Sequence, residues 1–261
     1  MRFKLILEVN RKAFGNILPI NYQYEQSAAI YKILSRADKD YSTWLHNNGY
    51  QLENGKKFKL FTYSRFKIAK RKSLPNSDRL QILSDTVEWQ LSFLPEKSTA
   101  SFIQGMFMNQ IFEVGDHTSK VQFIVRNVEV LPSPEFSDNM TFRTMSPMCI
   151  QYINSETKEK KYLSPDDKKA KFLLLNGLKD RYLSYYGKVL NFSMDDCSLD
   201  ILDTPKSHLI TIRANSQNPS RVRGFICTFK IHAPKELLQL MYESGAGYLC
   251  AQGFGCLRVV E

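Results

Sequence analysis

Between Lys56 and Lys72 the chain carries eight basic residues and no acidic one, interleaved with Phe58, Phe61, Tyr63 and Phe66. Ammonium and guanidinium groups hold phosphates and aromatic rings stack on unpaired bases, so this mixture suits RNA. A second basic set, Arg213, Arg221 and Arg223, falls further on. The stretch Arg223-Gly-Phe-Ile-Cys-Thr-Phe229 matches an RNA-recognition strand signature only in part, because Ile226 stands where that pattern wants Gly or Ala. Four of the 12 glycines, Gly245, Gly247, Gly253 and Gly255, crowd one stretch near the end. Such a loop can fold closely around a phosphate or another strand, and it is equally a plain helix-to-strand connection. It lacks Gly-Lys-Ser/Thr and leads into the last strand rather than out of the first, which sets nucleotide-binding fingerprints aside.

Covalent catalysis finds little support. The five cysteines, Cys149, Cys197, Cys227, Cys250 and Cys256, are scattered, form no Cys-x2-Cys pair and lack a nearby histidine. His46, His117, His208 and His232 are isolated from one another, and no Gly-x-Ser-x-Gly elbow occurs. Disulfides, a metal and a cofactor are therefore not expected. RNA cleavage needs none of them. The substrate's own 2′-OH can attack the adjacent phosphate, provided that groups are at hand to deprotonate it, protonate the departing 5′-oxygen and stabilise the phosphorane. Histidine, tyrosine and lysine suffice, and the products would be a 5′-OH and a 2′,3′-cyclic phosphate.

A chain of 261 residues fits two domains of about 100 to 150 residues each. Its formal net charge of +10 favours a polyanionic partner, with nucleic acid ahead of an acidic membrane surface. No run of about 18 apolar residues and no signal peptide is present, so a cytoplasmic protein is expected.

Hydrophobic spacing orders the elements. Residues 2–9 read as a strand, and apolar positions at Ile30, Ile33, Leu34, Ala37, Tyr41, Trp44 and Leu45 give an amphipathic helix broken near residues 38–40. Strands over 57–70 and 79–94 follow, with a turn at 76–78. The first would align Lys59, Phe61, Tyr63, Arg65 and Lys67 on one face and Phe58, Leu60, Phe66 and Ile68 on or near the other. A helix over about 98–112 and a strand over 120–131 complete a β-α-β-β-α-β order. Residues 132–139 read as a linker. Beyond it the pattern repeats: strand-like 141–152, helical 165–186, strand-like 208–214 and 221–232, helical 234–243 and a closing strand at 257–260. Two tandem ferredoxin-like units in an α+β chain, 1–131 and 140–261, are the expected architecture.

Gly-x-Gly-x5-Gly-x-Gly ahead of a last strand, with Met1-Arg-Phe-Lys-Leu, Leu18-Pro-Ile-Asn-Tyr-Gln-Tyr, Ala29-Ile-Tyr-Lys-Ile, Leu45-His46 and Lys59-Leu-Phe-Thr-Tyr-Ser64 in that order, resembles one known family. These are the CRISPR-associated endoribonucleases that cut repeat RNA during guide-RNA maturation, within the repeat-associated mysterious protein superfamily. The motifs match at the two ends, and residues 75–240 match in element pattern. The resemblance implies the tandem ferredoxin-like fold and precursor crRNA as substrate, with other CRISPR effector subunits as further partners of a monomer or homodimer. It also implies a catalytic set of Tyr31, His46 and Lys59: His46 as general base or acid, Tyr31 as hydrogen-bond donor or second proton carrier, and Lys59 as the phosphorane clamp. The expected RNA-binding set is Lys56, Lys57, Arg65, Lys67, Lys70, Arg71, Arg221 and Arg223 with the glycines Gly245, Gly247, Gly253 and Gly255. The competing expectation is a non-cleaving subunit that holds repeat RNA within a ribonucleoprotein.

Overall fold

A computed structural model describes residues 1–154, 156–213 and 219–260. The N-terminal stretch gives β1 (Arg2–Val9), a one-turn helix α1 (Arg11–Phe14), β2 (Ile17–Pro19), α2 (Gln23–Ala37) and α3 (Lys39–Asn47). Short strands follow: β3 (Tyr50–Gln51), β4 (Lys57–Phe58), β5 (Phe61–Tyr63), β6 (Lys67–Ile68), β7 (Arg71–Ser73) and β8 (Arg79–Ile82). The longer β9 (Thr86–Phe93), α4 (Glu96–Met108), β10 (Ile111–Gly115) and β11 (Lys120–Leu131) close the first half. After an irregular link come β12 (Asn139–Thr144), β13 (Ile150–Ile153), β14 (Lys160–Leu163) and α5 (Ala170–Tyr186). The chain then runs through β15 (Ser198–Ile201), β16 (Lys206–Ile212), β17 (Ser220–Ile226), β18 (Thr228–His232), α6 (Lys235–Ser244) and β19 (Leu257–Val259). No helix among the described residues is long and apolar enough to cross a membrane.

These elements pack as two compact units. The first comprises Met1–Asn47, Arg65–Pro132 and Thr211–Ser220. Its sheet runs β11-β1-β9-β6, with β10 outside β11, and every one of these pairings is antiparallel. Numbered by strand, that is the 4-1-3-2 order of a ferredoxin-like sheet. Alternate positions bury Phe3, Leu5 and Leu7 on β1 and Trp89, Leu91 and Phe93 on β9. Ile30, Ile33 and Leu34 of α2 and Phe102 of α4 are buried too, with the Phe102 ring 5.0 Å from Phe93 and 6.4 Å from Phe3. Each such side chain contributes about 1.5–3 kcal/mol on leaving water, which is why this face fixes the register.

The second unit comprises Asn48–Ser64, Ser133–Ile210 and Arg221–Glu261. Its sheet, β19-β12-β18-β15, is again antiparallel and again in 4-1-3-2 order. Phe142 and Phe229, 5.9 Å apart, anchor the core with Leu174, Leu178 and Leu238 from the two helices. The strand pairs β13–β14 and β16–β17 form separate two-stranded sheets.

Several expected elements are corrected. Residues 57–70 do not form one strand: Leu60 adopts φ 56°, which turns the chain between β4 and β5, and Phe61, Thr62, Tyr63 and Ser64 are all buried. The expected face of alternating cations and rings therefore does not exist. The 79–94 strand is split, because the Leu83 and Ser84 N–H groups both turn to the Lys70 carbonyl (2.8 and 3.2 Å). The helix expected to reach residue 112 ends at Met108, and Ile111–Gly115 alternates as β10 with Phe112 and Val114 inward. Residues 141–152 break after Thr144, where the Met145 and Ser146 N–H groups turn to the Cys256 carbonyl. Pro165 precedes rather than opens α5, in a turn where Lys169 N–H donates to the Asp167 carboxylate at 2.8 Å. Residues 221–232 divide at Cys227, whose N–H donates to Thr144 Oγ1 at 3.0 Å. The strand expected over 208–214 is β16, shifted to Lys206–Ile212, and Ala214 lies outside the described residues. Strands β14 and β15 had no counterpart in the expected order.

Candidate nucleic-acid interface

Chemistry-bearing residues gather at one place in each unit. In the first, Asp38 is extended (φ −149°, ψ 95°) and ends α2, while its carboxylate accepts the Tyr41 N–H at 2.8 Å to open α3. This break folds α3 back along α2. Ser42 Oγ then donates to the Tyr31 carbonyl at 3.0 Å, and the His46 ring meets the Tyr31 ring edge-on, 5.0 Å between centroids at 82°. His46 is exposed in the last turn of α3, with Nδ1 3.0 Å from Asn47 Oδ1. Tyr31 is half-buried, and burial, followed by the neighbouring Tyr41, raises its pKa. It is thus a neutral phenol able to donate a hydrogen bond.

The first unit also holds Arg65, Lys67, Lys70 and Arg71. Lys70 and Arg71 are exposed. Lys67 is exposed but paired with Glu88 at 3.0 Å. Arg65 is half-buried, and with the Gln23 amide oxygen turned towards it donates to that oxygen from Nε (3.1 Å) and Nη2 (3.3 Å). Burial lowers its pKa, then Tyr22 raises it and Arg71 lowers it.

In the second unit Lys56, Lys57 and Lys59 help to line a cleft of ≈ 410 Å³. Its other walls are Gly177, Asp180 and Arg181 of α5 and the loop from Gly247 to Gln252. Lys56 pairs with Asp180 at 2.6 Å, and its hydrogen bond to that carboxylate raises its pKa. Lys59 is half-buried, and burial, then the Lys57 charge, lowers its pKa to about 8.

The glycine loop is built from within. Gly255 has φ 68°, and a Cβ there would lie 2.0 Å from the Ala246 carbonyl oxygen; Gly247 has φ 83°, and its Cβ would lie 2.2 Å from that of Cys149. Backbone hydrogen bonds run from Ala246 N–H to Gly255 O (2.8 Å), Gly255 N–H to Pro147 O (2.9 Å) and Tyr248 N–H to Cys149 O (2.7 Å). These N–H groups are spent on the protein itself. Gly245, Gly253 and Gly255 are buried, and of the four only Gly247 lines the cleft. Thr62 Oγ1 of β5 donates to Phe254 O at 3.0 Å, which ties the loop to the strand after Lys59.

Arg181 was not anticipated. It is 4% exposed and donates from Nη1 to Ser244 Oγ (3.1 Å) and the Gly245 carbonyl, and from Nη2 to Gly247 O (3.2 Å). A guanidinium on the helix core thus clamps the loop by two carbonyls. The available signal was its place on the apolar stripe, at Leu174 + 7 and Leu178 + 3. Arg221 and Arg223 are exposed on β17, with Arg223 Nη1 2.7 Å from Ser207 Oγ.

Structure thus joins Tyr31 to His46 in one unit and Lys56, Lys57, Lys59 and Gly247 in the other. All five cysteines are free thiols, and burial pushes Cys227 up to about 12. Among the described residues no three His, Cys, Asp or Glu side chains group as metal ligands.

Residues 17–129 match the family model described as CRISPR-associated protein Cas6, N-terminal, and residues 131–259 match CRISPR associated protein Cas6, C-terminal. A curated protein of Methanocaldococcus jannaschii, described as CRISPR-associated endoribonuclease Cas6 1, is 28% identical over 264 residues, covering 100% of this chain and 93% of its own. One of Pyrococcus furiosus, described as a putative CRISPR-associated endoribonuclease-like protein Cas6, is 25% identical over 250 residues, covering 94% and 93%. Among solved structures, that of a Cas6-related gene product from Pyrococcus furiosus superposes with a TM-score of 0.82 at 24% identity, covering 100% of this chain and 98% of its own, and so shares the fold.

Proposed function

Because the chain belongs to the Cas6 family of CRISPR-associated proteins, both halves of which it matches, we propose that it is an endoribonuclease that binds CRISPR repeat RNA and cuts precursor crRNA. The observation that carries the reading to residues is the pairing of Tyr31 with His46, 5.0 Å apart across two helices that an Asp38 break folds together. In the proposed reaction His46 accepts the 2′-OH proton, the 2′-oxygen bonds to phosphorus, and the bond to the 5′-oxygen breaks as that oxygen is protonated. The phenol of Tyr31 donates a hydrogen bond or the proton. The role left for Lys59 is that of a cation for the phosphorane, which carries one more negative charge than the ground state. Lys56, Lys57, Lys70 and Arg71, with Arg65, Lys67, Arg221 and Arg223, bind phosphates. Gly245, Gly247, Gly253 and Gly255 shape the loop that walls the cleft. The products are a 5′-OH and a 2′,3′-cyclic phosphate, and no step calls for a metal.

A repeat RNA carrying one 2′-deoxyribose immediately 5′ of the cut should bind as the all-ribose RNA does and stay intact, in EDTA as in magnesium. Cleavage of the deoxy substrate would place the nucleophile outside the RNA. The second reading, a non-cleaving repeat-RNA-binding subunit, draws on the description of the Pyrococcus furiosus relative as endoribonuclease-like. Tight binding of the all-ribose RNA without any cleavage would favour it.

A further inference from the structure

The cleft of the second unit combines two chemistries. Lys56 and Lys57 on it are exposed, whereas Leu60 and Phe61 are buried beneath, and Asp180 and Gln252 add hydrogen-bonding groups. Its ≈ 410 Å³ lies in the range of small-ligand pockets, about 300–1,000 Å³, and is too small a volume for a duplex. We propose that this cleft receives one unpaired nucleobase of the bound RNA, with Lys56 and Lys57 on the phosphates flanking it. The proposal rests on the RNA-binding reading above and adds a place where base, rather than backbone, is recognised.

Three observations carry it. Apolar walls beside cations are what a single strand offers a partner for, since each nucleotide presents a ring face next to a charge. The wall is preorganised: Arg181 fixes Gly245 and Gly247 by their carbonyls, and the Ala246, Tyr248, Gln252 and Gly253 N–H groups are already bonded within the protein, so little ordering remains to oppose binding. Lys56 is held at 2.6 Å by Asp180 in an ion pair open to solvent, of a kind weak enough for the ammonium to exchange the carboxylate for a phosphate. Asp180 is then left to accept from an edge N–H of the base.

The test compares two fluorescein-labelled decamers, oligoriboadenylate and an abasic ribose-phosphate chain of the same length, on the intact protein. Native protein should prefer the adenylate. Ala251→Trp, which fills the cleft without removing a charge, should weaken adenylate binding by about 5- to 150-fold, the worth of one stacked base. It should leave the abasic affinity and its salt dependence unchanged. Tyr248→Ala, at a wall ring 39% exposed, should show the same selective loss and guards against a misfolded tryptophan variant. Native-like adenylate binding by both folded variants would overturn the base pocket and leave RNA binding standing. Failure of native protein to bind either decamer would sink both.

Discussion

Lys59 is where residue chemistry is most exposed to test. Burial and the neighbouring Lys57 hold its pKa at about 8, below the ordinary 10.5. A depressed lysine costs the fold stability while it is charged in both states, and that cost is relieved as pH rises from about 8 towards 10.5. Catalysis runs the other way if the ammonium is the phosphorane cation. The subsaturating cleavage rate, which reports the free enzyme, should fall as pH rises through about 8, and Lys59→Arg should remove that descending limb because a guanidinium stays charged. A rate that climbs through the same window in both proteins would make Lys59 a bystander. Tyr31 and His46 were legible through the motifs around them, since their neighbouring residues follow a family's order. Arg181 was not, because its place on the apolar stripe marks a core-facing position without showing what a buried cation there would bind, and its acceptors are backbone carbonyls far along the chain.

At the scale of elements, the glycine loop is a packed structure, and its behaviour on substitution follows. Gly255→Ala should lower stability by more than the roughly 1–2 kcal/mol that a left-handed backbone alone costs, because the new Cβ also meets the Ala246 carbonyl. Gly55→Ala, at φ 81° with nothing within 4 Å, should lose only the backbone part. Equal shifts in denaturant midpoint for the two would show a loop loose enough to give way. Long periodic elements such as β1, β11 and the broken helix α2–α3 could be read from spacing, since one face of each is buried against a core. Residues 57–70 could not. A leucine in a left-handed turn leaves no mark in composition, and four successive buried residues after it erase the alternation that marks a strand. The same blindness hid β15, whose four residues are short and only partly covered.

Over the whole molecule the net charge of +10 sets the expected energetics. Single-strand binding loses about 0.7 in log–log salt slope per phosphate contact removed, so replacing Lys70 and Arg71 together by serine should flatten the slope by about 1.4. Lys67→Ser should change it less, since Glu88 already neutralises that lysine at 3.0 Å. An unchanged slope in the double variant would remove these residues from the interface. The most direct measurement of the central claim is single-turnover cleavage of a repeat RNA at saturating enzyme, native against His46→Ala, with binding measured in parallel. The account predicts retained affinity and a rate lower by about 10²–10⁴, the loss that follows removal of one proton-transfer group. A His46→Ala rate within a factor of about three of native, far short of that loss, would contradict it.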